Sequence, residues 1–223
     1  MLTRVAAAAA LSLVPVAVTA VPAQAAYSCS VTTPSKVSVT SPYRALTATY
    51  SAGCLRYAES AAWSVIHPTQ GSFDFIYYDG SSSTQTMDWY DWNPIGTYTV
   101  RPEGAYDYNY NDMTQNTRKM TVKIGARQSI STSRSGRYVT VKGTSTRYSR
   151  TSYPSGFRAW PGTKVALRQK TCSSCSWTWV KSGTTDRYGR VTLKAYASTT
   201  RYWQLATVDT STTWGRASTS ARR

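Results

Sequence analysis

Two of the four cysteines stand as Cys172-Ser-Ser-Cys175, a C-x-x-C. That spacing serves a redox pair, half of a zinc site, or a staple across a tight turn. Catalysis of the Ser-His-Asp or Cys-His kind requires a histidine, and the chain has one, His67. His67 sits in "SVIHPTQG", at a strand end before a proline, an ordinary surface setting. Glu59 and Glu103 are the only glutamates and neither stands in an acid/base setting, while most aspartates lie in turn-like sequence. The chain is therefore read as a non-enzyme, with no catalytic residue, no metal site and no cofactor expected.

Binding chemistry has more to work with. "YYDGSSSTQTMDWYDWNP" and "YDYNYNDMTQN" set Tyr77, Tyr78, Trp89, Tyr90, Trp92, Tyr106, Tyr108 and Tyr110 among Asp and Asn. Exposed rings of this kind stack on sugars, and the oxygens could hold calcium, although no spacing matches an EF-hand loop. The competing reading packs the rings between sheets and spends Asp and Asn on turns.

Charge is the stronger signal. From Ala26 to Gly125 there are 7 Lys/Arg and 8 Asp/Glu, a net of −1; from Ala126 to Arg223 there are 18 and 2, a net of +16. Thirteen of those 18 cations are Arg, whose planar fork bonds phosphate, sulfate and carboxylate bidentately. In "KVALRQK" Val165 and Leu167 alternate with Lys164, Arg168 and Lys170; in "RVTLK" Val191 and Leu193 alternate with Arg190 and Lys194. A solubilising surface usually mixes its signs, and this one does not. The expected partners are polyanions bound without sequence specificity: anionic wall polymers such as teichoic acids, anionic polysaccharide, or extracellular DNA.

The elements that must carry these residues read as strands. Period-two alternation recurs in "KVSVT", "ALTATY", "RYVTVK", "GTKVALRQK" and "GRVTLKA", with turn residues every eight to twelve positions. Ahead of them, Arg4, the apolar run Val5 to Val18 and the small-x-small Ala23-Gln24-Ala25 predict a signal peptide cleaved after Ala25. No helical pattern follows, no membrane insertion is expected, and the oligomeric state is left open. The charge break predicts two domains, residues 26–125 and 126–223, with the last strand of one leading almost directly into the next through "TVKIGARQSI". The fold expected is all-β: two tandem immunoglobulin-like β-sandwich domains.

Two resemblances sharpen this. "NPIGTYTVRP" carries Gly96, Tyr98 and Val100 as G-x-Y-x-V, which resembles the tyrosine corner of immunoglobulin-type sandwiches, where the Tyr bonds back to the backbone. Val100 stands where many antibody domains have their second cysteine, Trp63 suits the buried tryptophan of the third strand, and Cys29 is expected to pair with Cys54. The second half resembles the Ig-like/fibronectin-type sandwich repeats of secreted proteins from high-GC Gram-positive bacteria. The matching residues are Pro161, Gly162, Val165, Leu167, Gln169, Trp177, Val180, Thr185, Asp186, Gly189 and Leu193, then Tyr202 with Arg201 before it rather than after.

That pattern implies a strand from Val165 to Gln169 and another from Trp177 to Val180, so Cys172–Cys175 falls in a hairpin loop. No βαβ unit surrounds it and the remaining candidate ligands lie in the other half, which leaves the staple. If the strands of Lys164 to Lys170 and Arg190 to Lys194 lie in opposite sheets, both outer faces are basic. The resulting expectation is a non-catalytic protein, secreted and extracellular or wall-associated, that binds polyanions through its second domain. The alternative is a carbohydrate- or protein-recognition module using the aromatic loops of the first.

Overall fold

The computed structural model describes residues 27–223. The expected signal segment, residues 1–25, lies outside the described residues.

The first half holds β1 (Ser28–Cys29), β2 (Val31–Thr32), β3 (Lys36–Val39), β4 (Tyr43–Tyr50), α1 (Ala52–Tyr57), β5 (Ala58–His67), β6 (Gly71–Tyr78), β7 (Thr84–Tyr90), β8 (Gly96–Asp107), β9 (Thr114–Gln115) and β10 (Arg118–Ile124). A five-stranded sheet, β3-β10-β8-β5-β6, faces a three-stranded one, β2-β4-β7, with β1 and β9 paired beside them. Alternation does the sorting: along β4 and β10 every second residue turns inward. Trp63, Tyr98, Met120 and Val100 from the larger sheet meet Leu46, Tyr50, Met87 and Trp89 from the smaller. Tyr98 Oη donates to the Pro94 carbonyl at 2.7 Å, the corner its motif predicts. The short helix α1 is unannounced by the sequence; Cys54 lies on it and bridges to Cys29 on β1.

The second half holds β11 (Ala126–Gln128), β12 (Ser131–Ser135), β13 (Tyr138–Ser149), β14 (Gly156–Ala159), β15 (Lys164–Lys170), β16 (Thr178–Thr184), β17 (Arg190–Tyr196), β18 (Tyr202–Thr207) and β19 (Ala221–Arg222). β13 is the spine of one sheet and pairs with β11, β12, β14 and β17; the other sheet runs β16-β15-β18-β19. Val139, Val141, Val191 and Leu193 from the first pack on Val165, Leu167, Trp203 and Leu205 from the second. Both halves are thus open-sheet β-sandwiches of immunoglobulin type, arranged in tandem. Among the described residues no helix is long and apolar enough to cross a membrane.

Gly125 alone separates β10 from β11. Its amide donates to the Val39 carbonyl at 2.8 Å and its own carbonyl accepts from Tyr148 at 2.9 Å. A Cβ here would collide with Thr40 and stand 2.6 Å from Ser38 Oγ, so only glycine allows this approach. Tyr148 is buried within the first half's core, and Phe157 packs against that core too. The phenol of Tyr148 donates to Asp91 at 2.7 Å, and Arg150 donates to the Asn93 carbonyl at 3.0 Å.

Candidate functional site

The five basic residues singled out by alternation fall on two faces. On β15 the side chains of Val165 and Leu167 are buried, which turns Lys164, Arg168 and Lys170 outward. Register then extends the row across the sheet: Arg168 lies opposite Gln204, Lys170 opposite Tyr202, and Tyr202 opposite Arg222. On the other side of β15 the ladder shifts after Leu167 and places Trp179 opposite Arg168. Lys170 Nζ stands 4.9 Å from the ring centre of Trp177 and 5.6 Å from that of Tyr202, and Arg222 approaches Tyr202 at 5.7 Å. This face alternates cations with large rings, a geometry in which each ring also limits the swing of its cation.

Arg190 and Lys194 lie on β17, in the opposite sheet, where Val191, Leu193 and Ala195 turn inward. Their neighbours across the ladder with β13 are Thr144 and Thr140, and Lys142 joins them on the same outer face. Lys194 Nζ sits 4.6 Å from the Tyr138 ring, which meets Tyr196 edge-on at 5.7 Å. The five residues therefore form two surfaces and no common pocket. Lys142, Trp179, Tyr202 and Arg222 belong to the same surfaces. Only the strand register brings them there, since each sits on a strand other than the one that suggested the face.

The acids of this half do not neutralise it. Asp186 accepts from the backbone amides of Tyr188 and Arg190, both at 2.8 Å, and Asp209 accepts from Gly215 at 2.6 Å. Each shapes its own turn. The one ion pair among the described residues is Arg101–Glu103, in the first half, at 2.8 Å. Several cations are committed to carbonyl groups instead: Arg134 holds Ala197 and Thr199, and Arg158 holds Pro154. Lys170 also donates to the Ser173 carbonyl, inside the loop closed by Cys172–Cys175. That loop lies between β15 and β16, so the disulfide is a clip on a hairpin and fixes the carbonyl that holds Lys170.

The aromatic candidates of the first half divide. Tyr78 and Trp89 are buried and cannot meet a ligand: Tyr78 packs on Tyr50 at 4.9 Å, and Trp89 on Tyr98 at 5.0 Å. Period two explains this correction, because Ile76 and Tyr78 share the inner face, as do Met87 and Trp89. Tyr77, Trp92, Tyr106, Tyr108 and Tyr110 are exposed, and Tyr90 stacks on Trp92 at 4.4 Å. They do not gather in one place. Tyr90 and Trp92 lie just before β8 begins, whereas Tyr106, Tyr108 and Tyr110 lie at its far end. Asp107 organises that far loop, accepting from the amides of Asn109 at 2.8 Å and Asn111 at 2.9 Å. Those bonds, chiefly from Asn111, hold its carboxyl below the ordinary value.

His67 is buried, not superficial. Nε2 contacts the Ile95 carbonyl at 3.3 Å and therefore carries the proton, while Nδ1 accepts from the Thr69 amide at 3.4 Å. Its ring packs edge-on against Tyr98 at 4.9 Å, and Gly96 makes room for it. Among the described residues no cluster of three or more His, Cys, Asp or Glu side chains is placed to hold a metal ion.

No family model matches the chain, and no curated protein matches it. Among solved structures it is similar to the native conformation of Escherichia coli alpha-2-macroglobulin, at 8% identity and a TM-score of 0.43, over 88% of this chain and 14% of that one. It is also similar to the D0–D1 domain of intimin, at 12% identity and a TM-score of 0.28, over 88% and 97% of the two chains. For the FN1–FN3 domains of chicken CNTN1 the identity is 10% and the TM-score 0.30, over 86% and 65%.

Proposed function

We propose that this is a secreted, non-catalytic binding protein of the adhesion type, attached to anionic polymers of a cell envelope or matrix through both outer faces of its second sandwich. One observation carries the reading. Residues 126–223 hold 18 Lys/Arg against 2 Asp/Glu, and both of those carboxylates are bonded to their own turns. A field of that sign and size attracts phosphate-, sulfate- or carboxylate-bearing chains from a distance and holds them by many weak interactions. Teichoic acids, acidic polysaccharide and extracellular DNA share that chemistry. Two disulfides and no free cysteine support an oxidising, extracellular setting. The burial of the single histidine supports the non-catalytic reading. The likeness of the second half to sandwich repeats of secreted proteins from high-GC Gram-positive bacteria belongs to the same proposal.

The test is a pull-down of wall polymer, acidic glycan and nucleic acid by the intact chain at low and high salt. Polyanion binding should fall steeply as salt rises, because it releases counterions. A second reading, stacking on neutral sugar, is favoured by the Tyr90–Trp92 pair, with Trp92 68% exposed. In that case binding persists at high salt and disappears in Trp92→Ala.

A further inference from the structure

The segment between β18 and β19 folds back from the second sandwich onto the first. Ile124 donates to the Thr212 carbonyl and Trp214 to the Ile124 carbonyl, each at 2.9 Å. Lys123 Nζ donates to the Thr210 carbonyl at 2.6 Å, and Trp214 Nε1 to the Val37 carbonyl at 2.8 Å. Val37 lies on β3, an edge strand of the first half's larger sheet, so the indole ties this return to the first sandwich at that strand.

Beside Trp214 this return leaves a cleft of about 480 Å³ whose walls come from both sandwiches. Lys36 and Arg44 line it from the first half, Arg127 and Arg216 from the second. Asp209 is the lone carboxylate in the lining, and one of its oxygens is occupied by the Gly215 amide at 2.6 Å. The cations are also braced. Lys36 Nζ stands 4.9 Å from the Trp214 ring centre, and the Arg127 guanidinium 3.7 Å from that of Phe157. A cation held against a ring has less rotamer freedom to lose when it meets a ligand, and the ring excludes water from one side. Three guanidinium forks and an ammonium around one concavity, with a net charge of +3 in its lining, match a compact oxyanion of more than one charge.

We infer that this junction cleft is a discrete phosphate-binding site, separate from the outer faces of the second sandwich and dependent on residues of both halves. The phosphate group comes either from a free ion or from the ester of a polymer. Both sources offer non-bridging phosphate oxygens to Arg44, Arg127 and Arg216, two with a single charge from a diester, more of both from a monoester or the free ion. Because a monoester gains its second charge near a pKa of about 6, monoester affinity should rise from pH 5 to pH 7 while diester affinity stays level.

The experiment is calorimetric titration of the intact chain with inorganic phosphate, glycerol phosphate and a short phosphodiester polymer, at fixed salt. For inorganic phosphate and glycerol phosphate the expected result is one saturable site per chain. It should weaken about tenfold for each guanidinium removed in Arg44→Gln and Arg216→Gln. Lys164→Gln with Arg168→Gln, on the outer face, should leave it unchanged. Arg44→Lys and Arg216→Lys keep the charge without the fork and should restore only part of the affinity. Circular dichroism and melting temperature establish that each variant is folded. Displacement of inorganic phosphate by the polymer identifies an ester as the source; failure to displace it identifies the free ion. Inorganic phosphate binding that never saturates, or that survives Arg44→Gln with Arg216→Gln in folded protein, overturns the site whether or not the outer faces bind polymer.

Discussion

The Tyr98 hydroxyl reaches back four residues to the half-buried Pro94 carbonyl, and the His67, Phe73 and Trp89 rings pack around the buried Tyr98 ring. Tyr98→Phe keeps the ring and strands the carbonyl, so unfolding in urea should show a loss of about 1–3 kcal/mol with an unchanged slope. The buried tyrosines also set an alkaline limit. Burial pushes Tyr50 from 10.0 up to about 12, and raises Tyr98 and Tyr148 in the same direction. A phenol that ionises at 10 when unfolded but higher when folded stabilises the native state fully below pH 10. That contribution is lost as pH climbs from 10 towards 12. Urea midpoints should therefore be flat from pH 8 to 10 and fall above it, less steeply in Tyr50→Phe. Tyr98 is legible in the sequence because its motif is local: glycine, tyrosine and the core valine lie within five positions. His67 is not, because its burial depends on Gly96 and Tyr98, some thirty residues on and invisible to local spacing. Carrying the two-residue period through their clusters would have placed Tyr78 and Trp89 on the inner face.

At the level of elements, alternation locates β4, β13, β15 and β17 because each has one face on the core and one in water. It has nothing to work on in α1, where Cys54 is the one buried residue of the helix, or in the irregular segment that carries Trp214. The two disulfides are legible through the strand pattern around them, yet they differ in weight. Cys29–Cys54 spans a separation of 25 and contributes about 3.5 kcal/mol in the chain-entropy model, whereas Cys172–Cys175 spans 3 and contributes about 2. Replacing Cys172 and Cys175 by Ser should lower the melting temperature less than replacing Cys29 and Cys54. It should also loosen Lys170, whose partner carbonyl lies inside the clipped loop, without abolishing polymer binding. The link between β10 and β11 is less forgiving. Gly125→Ala drives a methyl into the Ser38 and Thr40 side chains and to 3.1 Å from the Val39 carbonyl, and should cost about 1–3 kcal/mol in denaturant unfolding, since both side chains must shift to admit it.

The whole molecule joins a nearly neutral sandwich to a strongly basic one and then locks them together. The charge break is plain in composition, but the lock is not, because Asp91, Tyr148, Val37 and Trp214 are residues of ordinary type made partners only by folding. Its consequence is cooperativity: with Tyr148 seated in the first core and Trp214 bonded to β3, neither half can open without exposing part of the other. The charge stays divided all the same, which separates the two functional readings. If polymer is held by the outer faces, the attraction must come from the second sandwich, since residues 26–125 carry a net of −1. Substituting Lys164, Arg168, Lys170, Arg190 and Lys194 by Gln in the intact chain should then lower affinity and flatten the slope of log K against log salt. Each phosphodiester charge that is no longer neutralised takes about 0.7–0.9 of a unit off that slope. Because the residues lie on two faces, the Lys164–Arg168–Lys170 set and the Arg190–Lys194 set should each take part of the slope if polymer wraps both. If it lies along one face, a single set should take nearly all of it. An unchanged slope after all five substitutions would make the charge solubilising and move the search for a ligand to the exposed rings around Trp92.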